Sequence, residues 1–219
     1  MKKALFAVVM VLVLGSPAMV VAQSALYVNG DAAMEGSFGM EIDIADQGSA
    51  FVTDETPSGE KVYRAKFLFD PNAITMVRGT STLIFEARSP VPDYPGNTLS
   101  AFRVVLRAKG SGFYVRAKAY YNPVGLTNGK KLGSPLIFIG PLGYSGQHEL
   151  EAEWWAGDAV DPIGYARIRL DGGAWSEVAV KNKVMSIDMC RLGAILVDSA
   201  ATLGSMYFDS FESFRTLAP

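Results

Sequence analysis

The chain has one cysteine, Cys190, and one histidine, His148, in 219 residues. A single thiol cannot close an intramolecular disulfide, so the fold must stand on its own core, which this length permits. A single imidazole excludes a zinc site built from several histidines. Excess basic charge is also missing, with 20 Lys and Arg against 22 Asp and Glu. Nucleic-acid binders need a strong basic excess, so no nucleic acid is expected as a partner. After residue 14 there is no long apolar run. The sequence shows no amphipathic helix of useful length, no internal repeat, no low-complexity tract and no linker.

The first residues have the layout of a secretory signal peptide over 1–22. Lys2 and Lys3 precede the apolar run Ala4 to Leu14, Gly15-Ser16-Pro17 breaks it, and Ala22 offers a small residue for cleavage. The run is short for a membrane span, so no membrane insertion is expected once it is removed. The sequence therefore predicts export, to the periplasm or beyond the cell, of one domain over residues 23–219. Losing Lys2 and Lys3 takes the 20 basic residues to 18 against 22 acids, a net charge of −4.

The dominant pattern has period two. Met40, Ile42 and Ile44 alternate with Glu41 and Asp43; Leu83, Phe85 and Ala87 alternate with Ile84, Glu86 and Arg88. The same holds from Tyr63 to Phe69, Phe102 to Lys109, Phe113 to Tyr120, Glu149 to Trp154 and Arg167 to Asp171. Each run reads as a strand with one buried and one wet face. Between them lie turn signals such as Pro57-Ser58-Gly59, Lys109-Gly110-Ser111-Gly112 and Asp171-Gly172-Gly173. Many strands, tight turns and no helices predict an all-β antiparallel sandwich or barrel. The expected core is Phe67, Phe69, Phe85, Phe102, Leu106, Phe113, Val115, Leu150, Trp154, Ile168 and Leu170. Residues 121–146, rich in Gly, Pro and Asn, read as a long loop with a short strand from Leu136 to Ile139.

One string looks catalytic. Glu41-Ile42-Asp43-Ile44-Ala45-Asp46 resembles the E-I-D-I-x-E strand of laminarinase-like glucanases. That resemblance would make Glu41 a nucleophile and Asp46 an acid/base, paired across a sugar. Asp46 is a methylene shorter than the expected Glu, and no Trp lies within 40 residues. The inward phase of Met40, Ile42 and Ile44 accounts for the letters, with Glu41 and Asp43 on a solvated face. No catalytic residue is assigned. Ser145 lies near His148, but no nucleophile-elbow pattern surrounds it. Cys190, beside Met189 and Leu192, reads as a small buried hydrophobe.

A polar, aromatic binding floor is the better candidate. Tyr114, Tyr120 and Trp155 fall on outward phases or strand ends, and Arg116, Glu151 and Arg167 share those phases. Glu149, Glu151 and Glu153 alternate on one face and repel unless neighbours compensate. Arg116 and Lys118 from the run before, and Arg167 and Arg169 from the run after, are expected to flank them as adjacent strands.

Val52 to Phe67, read as V-x-D-x-x-P-x-x-E-x-x-Y-R-A-x-F, is similar to a run in secreted bacterial proteins that resemble laminin-G and concanavalin A-like sandwiches. His148 to Trp155, Ala166 to Gly172, Arg191-Leu192-Gly193 and Tyr207 to Ser213 resemble later strands of such domains. The resemblance implies a two-sheet jelly-roll sandwich, a fold shared by lectins, glucanases and adhesion modules. It implies no cofactor, although some laminin-G-like domains hold a structural calcium, for which Asp209 and Glu212 are candidates. The expected function is non-catalytic binding of a glycan or cell-surface component. The alternatives are an envelope or matrix protein without a small ligand and, third, a polysaccharide hydrolase or lyase.

Overall fold

The structure is a computed structural model and describes residues 23–72, 74–91, 93–122 and 125–218. The predicted signal peptide, 1–22, lies outside the described residues. Fourteen strands follow in chain order: β1 Ala25–Asn29, β2 Gly39–Ile44, β3 Ala50–Asp54, β4 Val62–Asp70, β5 Ser81–Pro90, β6 Thr98–Lys109, β7 Gly112–Tyr120, β8 Lys131–Gly133, β9 Ile137–Pro141, β10 His148–Trp155, β11 Ile163–Leu170, β12 Ser176–Lys181, β13 Met189–Val197 and β14 Gly204–Phe214. Every period-two run named above lies in a strand, because alternation at this period is what a half-buried strand requires; the exception is Asp171, which falls in the turn just after β11.

The strands form two antiparallel sheets. The first has the order β1-β2-β14-β4-β10-β11-β12, and the second runs β3-β13-β5-β6-β7-β8 with β9 also on β7. They pack face to face as a concanavalin A-like jelly-roll sandwich. Inward side chains of both make one core, including Phe67, Phe69, Phe85, Phe102, Phe113, Leu150, Trp154 and Ile168, all fully buried. Phe67 stacks on Phe85 across the sheets, with ring centroids 5.9 Å apart. Leu106 and Val115 are buried as expected, and Leu170 is only partly so.

Two details depart from the sequence pattern. In β5 the register slips between Leu83 and Phe85. That extra residue flips the phase. Leu83, expected inward with Phe85, instead joins Val105, Ile195 and Phe51 in a small apolar cluster separate from the main core. Residues 121–146 also contain two strands rather than one, β8 and β9, both paired to β7.

Cys190 is 1% exposed, and the Tyr63 hydroxyl donates to its Sγ at 3.0 Å. Burial pushes the thiol up to about 12, with Asp54 adding to the rise and the Tyr63 hydrogen bond opposing it. The thiolate is the reactive form. Native protein is therefore expected to resist a thiol-specific alkylating reagent at pH 8 and to react at one site after denaturation. Rapid stoichiometric labelling of the native chain would show that this pocket opens.

Candidate functional site

The six residues expected to form one binding floor lie on opposite faces of the sandwich. Trp155, Glu151 and Arg167 are on β10 and β11 of the first sheet; Tyr114, Arg116 and Tyr120 are on β7 of the second. The expected neighbour β7 does not touch the acidic row of β10. β10 pairs with β4 and β11 instead. The charge pattern asked only for basic flanking strands, and β4 meets that need with Arg64 and Lys66.

The acidic row is fully compensated. Glu149 pairs with Lys66 at 2.7 Å, Glu151 with Arg169 at 2.6 Å and Glu153 with Arg167 at 2.7 Å. Arg64 Nε lies 3.4 Å from Glu151 without hydrogen-bond geometry. Glu153 faces outward yet is fully buried, and the backbone N–H of Ala218 donates to it at 2.5 Å. Trp155 stacks on Tyr165 at 4.8 Å, and Arg167 lies over the Trp155 and Trp175 rings. This face is a ladder of paired charges, with Arg64 Nε and Glu151 Oε2 left without a hydrogen-bond partner among the described residues.

The outer face of the second sheet is different. Arg103 and Arg107 project from β6, Arg116 and Lys118 from β7, and Lys131 from β8. Register pairs Arg103 with Lys118, Val105 with Arg116 and Tyr120 with Lys131. Among the described residues, Arg107, Arg116, Lys118 and Lys131 have no carboxylate within 4.0 Å. Arg116 lies across Gly133, where a Cβ would sit 3.2 Å from its guanidinium. Burial and Arg107 lower the Arg116 pKa. Lys118 is brought down to about 8, first by burial, then by Arg116 and Lys131, with Arg103 adding to the effect and Asp198 opposing it.

One buried acid organises the edge of this face. Glu86, 1% exposed, accepts from Ser100, from Arg103 Nε at 2.9 Å and from Arg88 at 2.9 Å. Burial raises its pKa, but Ser100, Arg103 and Arg88 outweigh that and leave it below the ordinary glutamate value. Arg103 also rests over the Tyr120 ring at 5.2 Å, so Tyr120 is buried beneath a guanidinium and is not free for a sugar. Tyr114 packs edge-on against Phe138.

Beside Arg103 lies a depression of about 130 Å³. Arg103, Lys118 and Lys131 border it, Leu83, Val105 and Leu196 give it apolar walls, and Ser81 and Asp198 supply polar oxygens. Ser81 donates to the Asp198 carboxylate. A larger depression of about 250 Å³, between Val28, Phe38, Val52 and Phe211, is apolar. Its one carboxylate, Asp209, is filled by the backbone N–H groups of Met34, Glu35 and Ser210. The chemistry is therefore on the smaller site. Of the residues there, the sequence reading singled out Lys118; Arg116, two residues before it on β7, does not border the depression. The sequence reading missed Arg103, Lys131 and Asp198. The outward phase of Arg103 was visible, but what it would face was not.

The other candidates resolve simply. Glu41 accepts from Asn29 at 2.6 Å and Ser205 at 2.8 Å, while Asp46 accepts from Ser24 and Gly48. The two carboxylates are committed to different neighbours. His148 pairs with Asp171 at 2.6 Å rather than with Ser145, whose hydroxyl is directed at Asp70. Asp209, one of the two candidate calcium ligands, is taken up as above, and the described residues contain no group of three His, Cys, Asp or Glu able to hold a metal ion.

No protein-family model and no curated protein matches the chain. Solved structures do. An endo-β-1,4-glucuronan lyase from the fungus Trichoderma reesei superposes with a TM-score of 0.61 at 13% identity, covering 88% of this chain and 87% of that one. A cellulose-induced protein gives 0.56 at 13% identity over 92% and 90%. An alginate lyase from Pseudomonas aeruginosa gives 0.53 at 10% over 80% and 82%. At these identities the likeness is one of fold.

Proposed function

We propose that the protein is an exported carbohydrate-binding sandwich that holds an anionic polysaccharide across the outer face of its second sheet. The observation that carries this is the set of outer-face cations Arg107, Arg116, Lys118 and Lys131, none of which has a carboxylate within 4.0 Å among the described residues. Like charges placed opposite one another on a sheet destabilise it, and Arg116, Lys131 and Arg103 add to the burial that lowers the Lys118 pKa. Folding has no use for the arrangement; on the first sheet, by contrast, the acidic row Glu149, Glu151 and Glu153 is paired with Lys66, Arg169 and Arg167. A polymer with a repeating negative charge removes the repulsion on binding. Two of the similar structures are named as lyases of glucuronan and of alginate, which supports an acidic glycan as the ligand. The flat spread of cations over three adjacent strands suits an extended chain better than a small anion.

Titration calorimetry with anionic and neutral polysaccharides tests this. Binding is expected for anionic polymers and to weaken as salt rises, since exposed charges are screened. Replacing Arg116 or Lys131 with alanine should weaken it by about tenfold each. Equal affinity for neutral polymers, or indifference to salt, would sink the reading.

A further inference from the structure

We propose that this same face cleaves a uronate-containing polysaccharide by β-elimination, with Lys118 as the base and Arg103 as the cation that neutralises the sugar carboxylate. The proposal rests on the binding reading above and adds a reaction to it.

In a uronate unit the C5 proton and the carboxylate sit on adjacent carbons. A catalyst must therefore set a base and a fixed cation side by side. Arg103 and Lys118 are direct cross-strand partners on one face, which places their Cβ atoms about 4.5–5.5 Å apart. Both border the same depression. Arg103 is fixed by Glu86 through Nε at 2.9 Å and Nη2 at 2.8 Å, and by the Tyr120 ring beneath it. A guanidinium so held is preorganised for a charge that grows during reaction. The apolar walls Leu83 and Val105 can receive the C–H face of the ring, and Asp198 its hydroxyls.

The choice of lysine is informative. For binding a carboxylate alone, arginine is superior because it stays charged and forks. Lysine differs in being able to lose its proton. The groups facing Lys118 are Arg103 on β6, Arg116 on its own strand and Lys131 on β8, all cationic, with Asp198 after β13 the one acid among them; they and its burial bring its pKa to about 8. A neutral amine is thus accessible in mildly alkaline solution.

The step balances within the site. The Lys118 amine takes the C5 proton, the C5–H electron pair forms the C4=C5 double bond, and the C4–O4 bond breaks. The ammonium then returns its proton to O4, which becomes the new reducing end. No water, metal or oxidant is consumed, and the amine is regenerated.

The purified full-length protein is incubated with polyglucuronate, polymannuronate, polyguluronate and polygalacturonate, with a sulfated glycan lacking uronate as a binding control. Ultraviolet absorbance of the conjugated double bond reports cleavage, and calorimetry reports binding. The expected result is an unsaturated product from at least one polymer, with a rate that climbs as pH rises through about 8. Lys118→Arg, which keeps the charge but cannot act as a base, should bind within a few-fold of the native protein and lose about 100-fold or more in rate. Circular dichroism checks that the variant folds. Binding to a polyuronate without product between pH 7 and 10 would overturn the elimination and leave the binding reading standing. Product formation undiminished in Lys118→Arg would overturn the role of Lys118. Failure to bind any anionic polymer would overturn both readings.

Discussion

Trp154→Ala is expected to cost about 3–5 kcal/mol, the range of the most damaging core truncations. The side chain is fully buried and is the largest in the core. On β10 it stands in register with Tyr63 of β4 on one side and Ala166 of β11 on the other. The small neighbours Ala65, Ala152 and Ala166 leave the space the indole fills, and alanine at 154 would leave a cavity that short, stiff strands cannot collapse into. The loss should lower Tm by roughly 10 °C for a domain of this size. Trp154→Phe should be much milder. The indole N–H has no protein partner among the described residues, so removing it takes away an unpaired buried donor along with some volume. Denaturant unfolding of both variants checks this. A loss below about 1 kcal/mol in Trp154→Ala would mean that the tryptophan does not anchor the core.

The phase of almost every strand was readable because period two is a local property: Ile42, Phe67, Phe102, Val115 and Ile168 announce their burial from their immediate neighbours. Which strand lies beside which is not local. Glu151 needed two basic neighbours, and both β4 and β7 present basic residues at the right spacing, so charge pattern alone could not choose between Lys66 and Lys118. The jelly-roll path sends β7 to the other sheet, and that one fact turns a balanced ladder into two faces of opposite character. Leu83 was misread for a related reason. A bulge adds one residue through pairing with β6, and nothing in the string Leu83-Ile84-Phe85 marks where it falls. β8 escaped notice because three residues are too few to show alternation.

The candidate site was half legible by the same rule. Arg116 and Lys118 declared their outward phase, but their lack of acidic partners appears only when β6, β7 and β8 are set side by side. Tyr120 was expected to offer a face to sugar and is instead buried under Arg103, because long cationic side chains fold down over aromatic rings that lie within reach.

Glu86 is the group on which both stability and chemistry should turn. Its alternation with Phe85 and Ala87 gave it an outward phase, and outward it is, yet it is nearly inaccessible because Arg88, Arg103 and Ser100 close over it. Removing it in Glu86→Ala leaves Arg88 and Arg103 side by side, with Arg191 at 4.0 Å from the vacated carboxylate position. Deleting one partner of a fully buried ion pair costs about 3–5 kcal/mol. Here the arginines keep 19–28% of their side chains in contact with solvent, so they can turn toward water, and the expected loss is about 2–3 kcal/mol. Glu86→Gln keeps the shape and an acceptor for Ser100, and should lose less. The pH dependence follows from the sign of the shift. The native pKa of Glu86 lies below the ordinary value of 4.5, so its contribution is fully present above that value and is lost as pH falls through the native pKa. The difference in unfolding free energy between native protein and Glu86→Gln should therefore be constant at neutral pH and shrink on acidification below about 4.5. A difference that grows on acidification would mean that burial outweighs the arginines and that Glu86 is held protonated. In that case it could not clamp Arg103 as a charged partner, and the preorganised cation on which the elimination depends would be lost.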